Sequence, residues 1–172
     1  MGASVYAVIE YREYDSYWSF GEIDLPRDTE FLCAIAWGDG GVTDEMPYPP
    51  TDSFPEDASH KACDKFYVSA ADAQEYLDVS RLEDEDEMSL GEYARVRGDW
   101  ALRQFQTTGR LPPPELTNLG WLTLDQLEAN LSARGLKRED LVPPIRAVLA
   151  AMTELAAHYG RDGVRLVFWI GL

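Results

Sequence analysis

Histidine and cysteine are both scarce in this chain, with two of each among 172 residues. Cys33 and Cys63 are too few for a disulfide framework, and Cys33 lies in an apolar run where it packs as a small hydrophobe. A reducing compartment is therefore expected. Structural zinc wants four ligands and catalytic zinc three. Besides carboxylates the chain offers only His60, Cys63, Cys33 and His158, which argues against a metal or thiol centre. A Ser-His-Asp triad would have to recruit His60 or His158, and no Gly-x-Ser-x-Gly elbow accompanies either. GDGG at Gly38–Gly41 lacks the Lys-Ser/Thr of a phosphate loop and follows a helical pattern, so it reads as a turn. No apolar run approaches the ~20 residues that span a bilayer. The opening MGASVYAVIEYREY alternates as a strand does and has no basic leader segment. The expectation is a soluble, cytoplasmic protein without cofactor, metal or membrane association.

Positive charge is the remaining shortage. Lys and Arg number 15 against 31 Asp and Glu, giving a formal −16, and the imbalance is local. Residues 1–100 hold 24 acidic and 7 basic side chains, a formal −17, whereas residues 101–172 hold 7 and 8, a formal +1. Such a field repels phosphate backbones and anionic membranes, which excludes direct nucleic-acid binding and favours a basic protein as partner. The densest stretch is RLEDEDEM, with Glu83, Asp84, Glu85, Asp86 and Glu87 in succession. Five adjacent carboxylates cannot converge on one cation, and no glycine-enabled turn is interspersed as in a calcium loop. The run reads either as a solvated, self-repelling loop or as the edge of an acidic docking patch. Tyr14, Tyr17, Trp18, Trp37 and Trp100 lie near acidic segments, and aromatics among charges resemble an interaction surface; most are more simply core.

What is plentiful is apolar periodicity. At 45% hydrophobic residues and 12% aromatics, a 172-residue chain can bury roughly 70% of its unfolded surface in one domain spanning residues 1–172. Val5, Ala7, Ile9 and Tyr11 share one strand face and Tyr6, Val8 and Glu10 the other, and WSFGEIDL can pair back as a hairpin. Asp28 caps a helix through RDTEFLCAIAW. From Gly38 to Ser59 periodicity gives way to prolines and glycines, an irregular excursion of the kind that is either functional or disordered. Ser69 caps AADAQEYLDV, and SLGEYARVRGDWALRQF is helical with breaks at Gly91 and Gly98. TTGRLPPPELTN is a second connector. Thr123 and Gln126 form a capping box for LDQLEANLSARG. Ile145, Val148, Leu149, Met152, Leu155 and Tyr159 recur at helical spacing after Pro143 and Pro144. VRLVFWI closes the chain as a central strand. This order predicts an α+β domain with a mixed or antiparallel sheet that includes the N- and C-terminal strands, packed against several helices.

Three stretches, VYAVIEYREYDSYWSFG, GWLTLDQL and ELAAHYGRDGVRLVFWI, resemble a group of uncharacterised bacterial and phage-encoded proteins and cover about a quarter of the chain. Members carry a Pro-Arg-Gly-Leu-Pro element after the first helix, where this chain reads PYPPTDSFPEDAS and matches only in its prolines and its acidic, Ser-terminated end. The resemblance implies an accessory gene of bacteria or phages and brings no activity with it. The expected function is a non-enzymatic, immunity- or inhibitor-like protein-binding factor whose partner surface includes Glu83–Glu87, Tyr14, Tyr17 and Trp18. Two alternatives stand beside it. One is a small hydrolase or transferase using Asp39, Asp52 or Asp57 in the 38–59 loop; the other is a nucleic-acid mimic.

Overall fold

Alternation in the opening strand decides the architecture. The computed structural model of the chain describes residues 4–37, 46–80 and 88–171. In β1 (Ser4–Glu13), Val5, Ala7 and Ile9 are buried on one face and Val8 and Glu10 on the other. A strand buried on both faces must lie inside a sheet, and β1 does. It pairs antiparallel with β2 (Ser16–Leu25) on one side and with β4 (Val164–Gly171) on the other, Ser4 standing opposite Gly171 and Tyr11 opposite Val164. Strand β3 (Leu116–Thr123) pairs antiparallel with the far side of β4, giving the order β2-β1-β4-β3. The expected α+β fold, with both terminal strands in one antiparallel sheet, is met.

Strand β3 departs from the sequence reading, which carries a connector through Asn118. Its residues have no strand period of their own and are held by non-local pairing with β4, helped by a register shift between Leu116 and Asn118. The chain then turns directly into helix α6 (Leu124–Ala133) through the expected capping box: Thr123 Oγ1 accepts from Gln126 N at 3.3 Å, and Gln126 Oε1 accepts from Thr123 N at 3.0 Å.

Helices cover both faces. On the first lie α6, α7 (Pro143–Tyr159) and α1 (Thr29–Leu32), around a core that includes Ile9, Phe31, Leu127, Ile145, Leu149 and Phe168. Asp28 caps α1 as expected, its Oδ1 accepting from the N–H groups of Glu30 and Phe31. The continuous α-helix expected through Trp37 instead widens into a π-helical stretch at Cys33–Trp37, where the Ala34 carbonyl accepts from Asn130 Nδ2 at 2.9 Å. On the second face sit α2 (His60–Phe66) and a strap formed by residues 46–59. Phe54 of the strap stacks flat on Phe66, centroids 4.2 Å apart, and both meet the edge of Trp169.

The strap passes from one face to the other. Asn130 of α6 grips both sides of the Tyr48 backbone, Oδ1 accepting from its N–H at 2.9 Å and Nδ2 donating to its carbonyl at 2.8 Å. Pro50 and Thr51 then press onto β3 at Gly120, where an added Cβ would lie 3.2 Å from Thr51 N and 3.1 Å from the Phe168 ring. By Phe54 the chain has reached the second core. Here β3 is covered.

Three further helices, α3 (Ala70–Ser80), α4 (Leu90–Arg97) and α5 (Asp99–Thr108), enclose a smaller cluster around Ala73, Tyr93, Ala94 and Leu111. Of the two expected breaks only Gly98 interrupts the helices: at φ 126° it adopts backbone angles that L side chains rarely take, while Gly91 lies within α4. The Tyr93 hydroxyl lies 3.1 Å from the carbonyl oxygens of Pro112 and Pro113, and Arg97 Nη2 donates to those of Pro114 and Leu116. The triple-proline connector is thereby clasped along its length. Among the described residues no helix is long and apolar enough to cross a membrane.

Candidate functional site

A two-residue loop joins β1 to β2, and both of its residues have positive φ: Tyr14 at 50° and Asp15 at 64°. Such a loop matches the right-handed twist of the strands, but it normally takes Asn-Gly or Asp-Gly because side chains crowd there. A bulky residue at positive φ costs on the order of 1 kcal/mol or more. Tyr14 adopts it while 93% exposed, so burial does not repay that cost. An aromatic ring is held out in solvent at the tip of the hairpin.

Behind the tip, β2 is pinned by a buried ion pair. Glu10 and Arg165 are direct cross-strand partners on the second face, 0% and 2% exposed, and Arg165 Nε donates to Glu10 Oε2 at 2.7 Å. The other Glu10 oxygen accepts from Ser59 N at 2.6 Å, and Arg165 Nη1 donates to Asp57 Oδ1 at 2.9 Å. Arg165 Nη2 is buried with no hydrogen-bond partner among the described residues. Its guanidinium carbon lies 3.5 Å from the centre of the Tyr17 ring and 5.4 Å from that of Trp121, and cation–π attraction to those faces offsets the missing hydrogen bond. Tyr17 is thus drawn inward over the cluster.

Strand alternation then sends Trp18 to the opposite face, beside its cross-strand partner Tyr11, which stacks on Tyr159 of α7 at 4.5 Å. The row ends at the sheet edge, and Trp18 stays 54% exposed. A bulge between Ile9 and Glu10 leaves Phe20 as the extra residue of β2, 57% exposed. Carboxylates lie along the same hairpin, Glu13 and Asp15 at its tip and Glu22 and Asp24 on the second face of β2. Two cations stand nearby, each with an acidic neighbour: Arg12 is 3.7 Å from Asp162 and Lys65 is 3.5 Å from Glu22. Exposed aromatics on a hairpin that also carries carboxylates suit a protein-docking surface.

The remaining chemistry is quiet. A cleft of about 380 Å³ opens beside Tyr6, Lys65, Glu115 and Trp169, and one of about 150 Å³ beside Cys63, Tyr67, Trp100 and Arg103. Burial pushes the Cys63 thiol up, with Glu10 and Asp64 adding to it, so at neutral pH it is a thiol and not a nucleophilic thiolate. Burial also raises the Tyr67 hydroxyl. The His60 side chain is 93% exposed, 3.6 Å from Asp64. No cluster of His, Cys, Asp or Glu among the described residues could hold a metal ion.

The expected partner-surface residues therefore separate. Tyr14 and Trp18 are displayed on the hairpin, while Tyr17 belongs to the buried cluster. Trp100 packs against Phe66. Of the loop carboxylates, Asp52 is exposed and Asp57 is engaged by Arg165. Glu83–Glu87, Asp39, the GDGG turn and the Trp37 side chain lie outside the described residues. The Glu10–Arg165 pair has a sequence signal that the strand assignments pass over: Arg165 is the single charge of β4, and Glu10 follows directly on the apolar run of β1. Phe20 has none, because its exposure depends on the bulge and on β2 lying at the edge. No protein-family model, curated protein sequence or solved structure matches this chain.

Proposed function

We propose that this protein is a non-enzymatic, acidic binding factor of bacterial or phage origin, of the inhibitor or immunity kind, that engages a basic protein through the β1–β2 hairpin. The observation that carries the reading is Tyr14, an exposed aromatic kept at positive φ with no gain to the fold. Trp18 and Phe20 extend the apolar contact along β2, and the carboxylates of the hairpin supply attraction for a cationic partner. The formal −17 of residues 1–100, which include the hairpin, agrees with a cationic partner.

Affinity capture across about 0.05 to 0.5 M salt tests it. A partner should be recovered at low salt and lost progressively as screening rises. Trp18→Ser combined with Phe20→Ser should weaken its binding at least about tenfold, and neutralising Glu83–Glu87 together should flatten the salt dependence. A partner that binds the hairpin variant as tightly as the parent would remove the hairpin from the interface and end this reading.

A further inference from the structure

The two edges of the sheet are not equivalent. At β3 the strap crosses at Gly120, with Pro50 and Thr51 against the strand. At β2 no described backbone group outside β1 bonds to the strand, so its outward N–H and C=O groups are unmatched among the described residues. Natural edge strands are usually kept short or carry lysine or proline to discourage pairing. β2 is ten residues long, SYWSFGEIDL, and contains no lysine, arginine or proline. Its bulge at Phe20 and its carboxylates Glu22 and Asp24 fall in or beyond the middle, leaving Ser16–Ser19 regular and uncharged.

We propose that β2 accepts a β-strand from the partner, a segment alternating apolar residues with Lys or Arg, and so extends the sheet to five strands. This rests on the binding reading above and names its mode. On the first face the row Val164, Tyr11, Trp18 runs across three strands and stops at the edge, so an apolar residue of the incoming strand completes it. On the second face Glu22 and Asp24 stand where a basic residue of the same strand meets them. Charge also decides against a second copy of this chain: two β2 edges would juxtapose Asp15, Glu22 and Asp24 of molecules that each carry a formal −16, with no cation in either strand.

The test uses the full chain and two peptides of alternating valine and lysine, equal in length and charge, one of them N-methylated at every second residue to block pairing along one edge. The unmodified peptide should bind, slow amide exchange in β2 at least tenfold, and bind at least tenfold more tightly than the methylated one. Trp18→Lys, a change at an exposed position whose folding is checked by circular dichroism, should abolish that difference. Equal binding of the two peptides overturns strand addition while leaving an electrostatic hairpin surface intact. Binding of neither overturns strand addition outright, and the salt-series capture then decides the hairpin reading separately. A dimer in sedimentation that Trp18→Lys dissociates would assign the edge to a second copy and overturn the proposal.

Discussion

Asn130 shows how much one buried amide can organise. It is 1% exposed and satisfies three backbone groups, the N–H and C=O of Tyr48 and the C=O of Ala34. The strap and the π-helical stretch are thus tied to α6 through one side chain. Asn130→Ala leaves those groups without partners and opens a small void, so it should lower stability by about 3 kcal/mol. The urea midpoint should fall with it, and Asn130→Asp, which keeps the acceptor but loses both donations, should be no better. The sequence gives little notice of this, because a polar residue in LDQLEANLSA looks like any solvent-facing helix position. Arg165, the single charge of β4, and Glu10, at the end of the apolar run of β1, are more legible, yet their pairing requires the strand order.

Among the elements, those with strong local patterns are the ones that can be read from sequence: α7 by its apolar spacing, α6 by its capping box, β1 and β4 by their apolar runs. Elements held by distant partners cannot. Strand β3 exists because β4 offers it hydrogen bonds, and α2 follows a proline-rich stretch that conceals its start at Ser59, whose hydroxyl caps it. The hairpin shows the distinction at one position. Its strands are apparent in sequence, but the positive φ of Tyr14 follows from the two-residue loop length that pairing of Glu13 with Ser16 imposes. Glycine fits that conformation without crowding, so Tyr14→Gly should raise stability by about 0.5–1 kcal/mol in urea unfolding. Under the binding reading the same substitution weakens partner affinity. Stability and function move in opposite directions, a combination that a merely structural tyrosine would not give.

For the molecule as a whole, alkaline pH is the sensitive direction. Burial raises the ionisations of Cys63, Tyr67 and Tyr93 above their ordinary values of 9.0 for the thiol and 10.0 for the phenols. The unfolded chain therefore releases these protons before the folded one does. Their contribution to stability is complete below about pH 9 and declines as pH rises, by about 1.4 kcal/mol per unit for each group ionised only in the unfolded state. Urea midpoints should hold up to pH 9 and fall above it, and Tyr67→Phe should make the fall shallower. A further consequence follows from the central place of β1, whose second neighbour, β4, arrives so late that the Glu10–Arg165 contact spans 155 positions. At synthesis rates of about 5–20 residues per second, β1 waits on the order of ten to thirty seconds on the ribosome for that neighbour. Meanwhile the nascent hairpin exposes one whole side of β1 in addition to Trp18 and Phe20, a template for association between growing chains. The acidic residues concentrated in the first 100 positions are all made within that interval, and their mutual repulsion holds neighbouring nascent chains apart until the last strand closes the sheet.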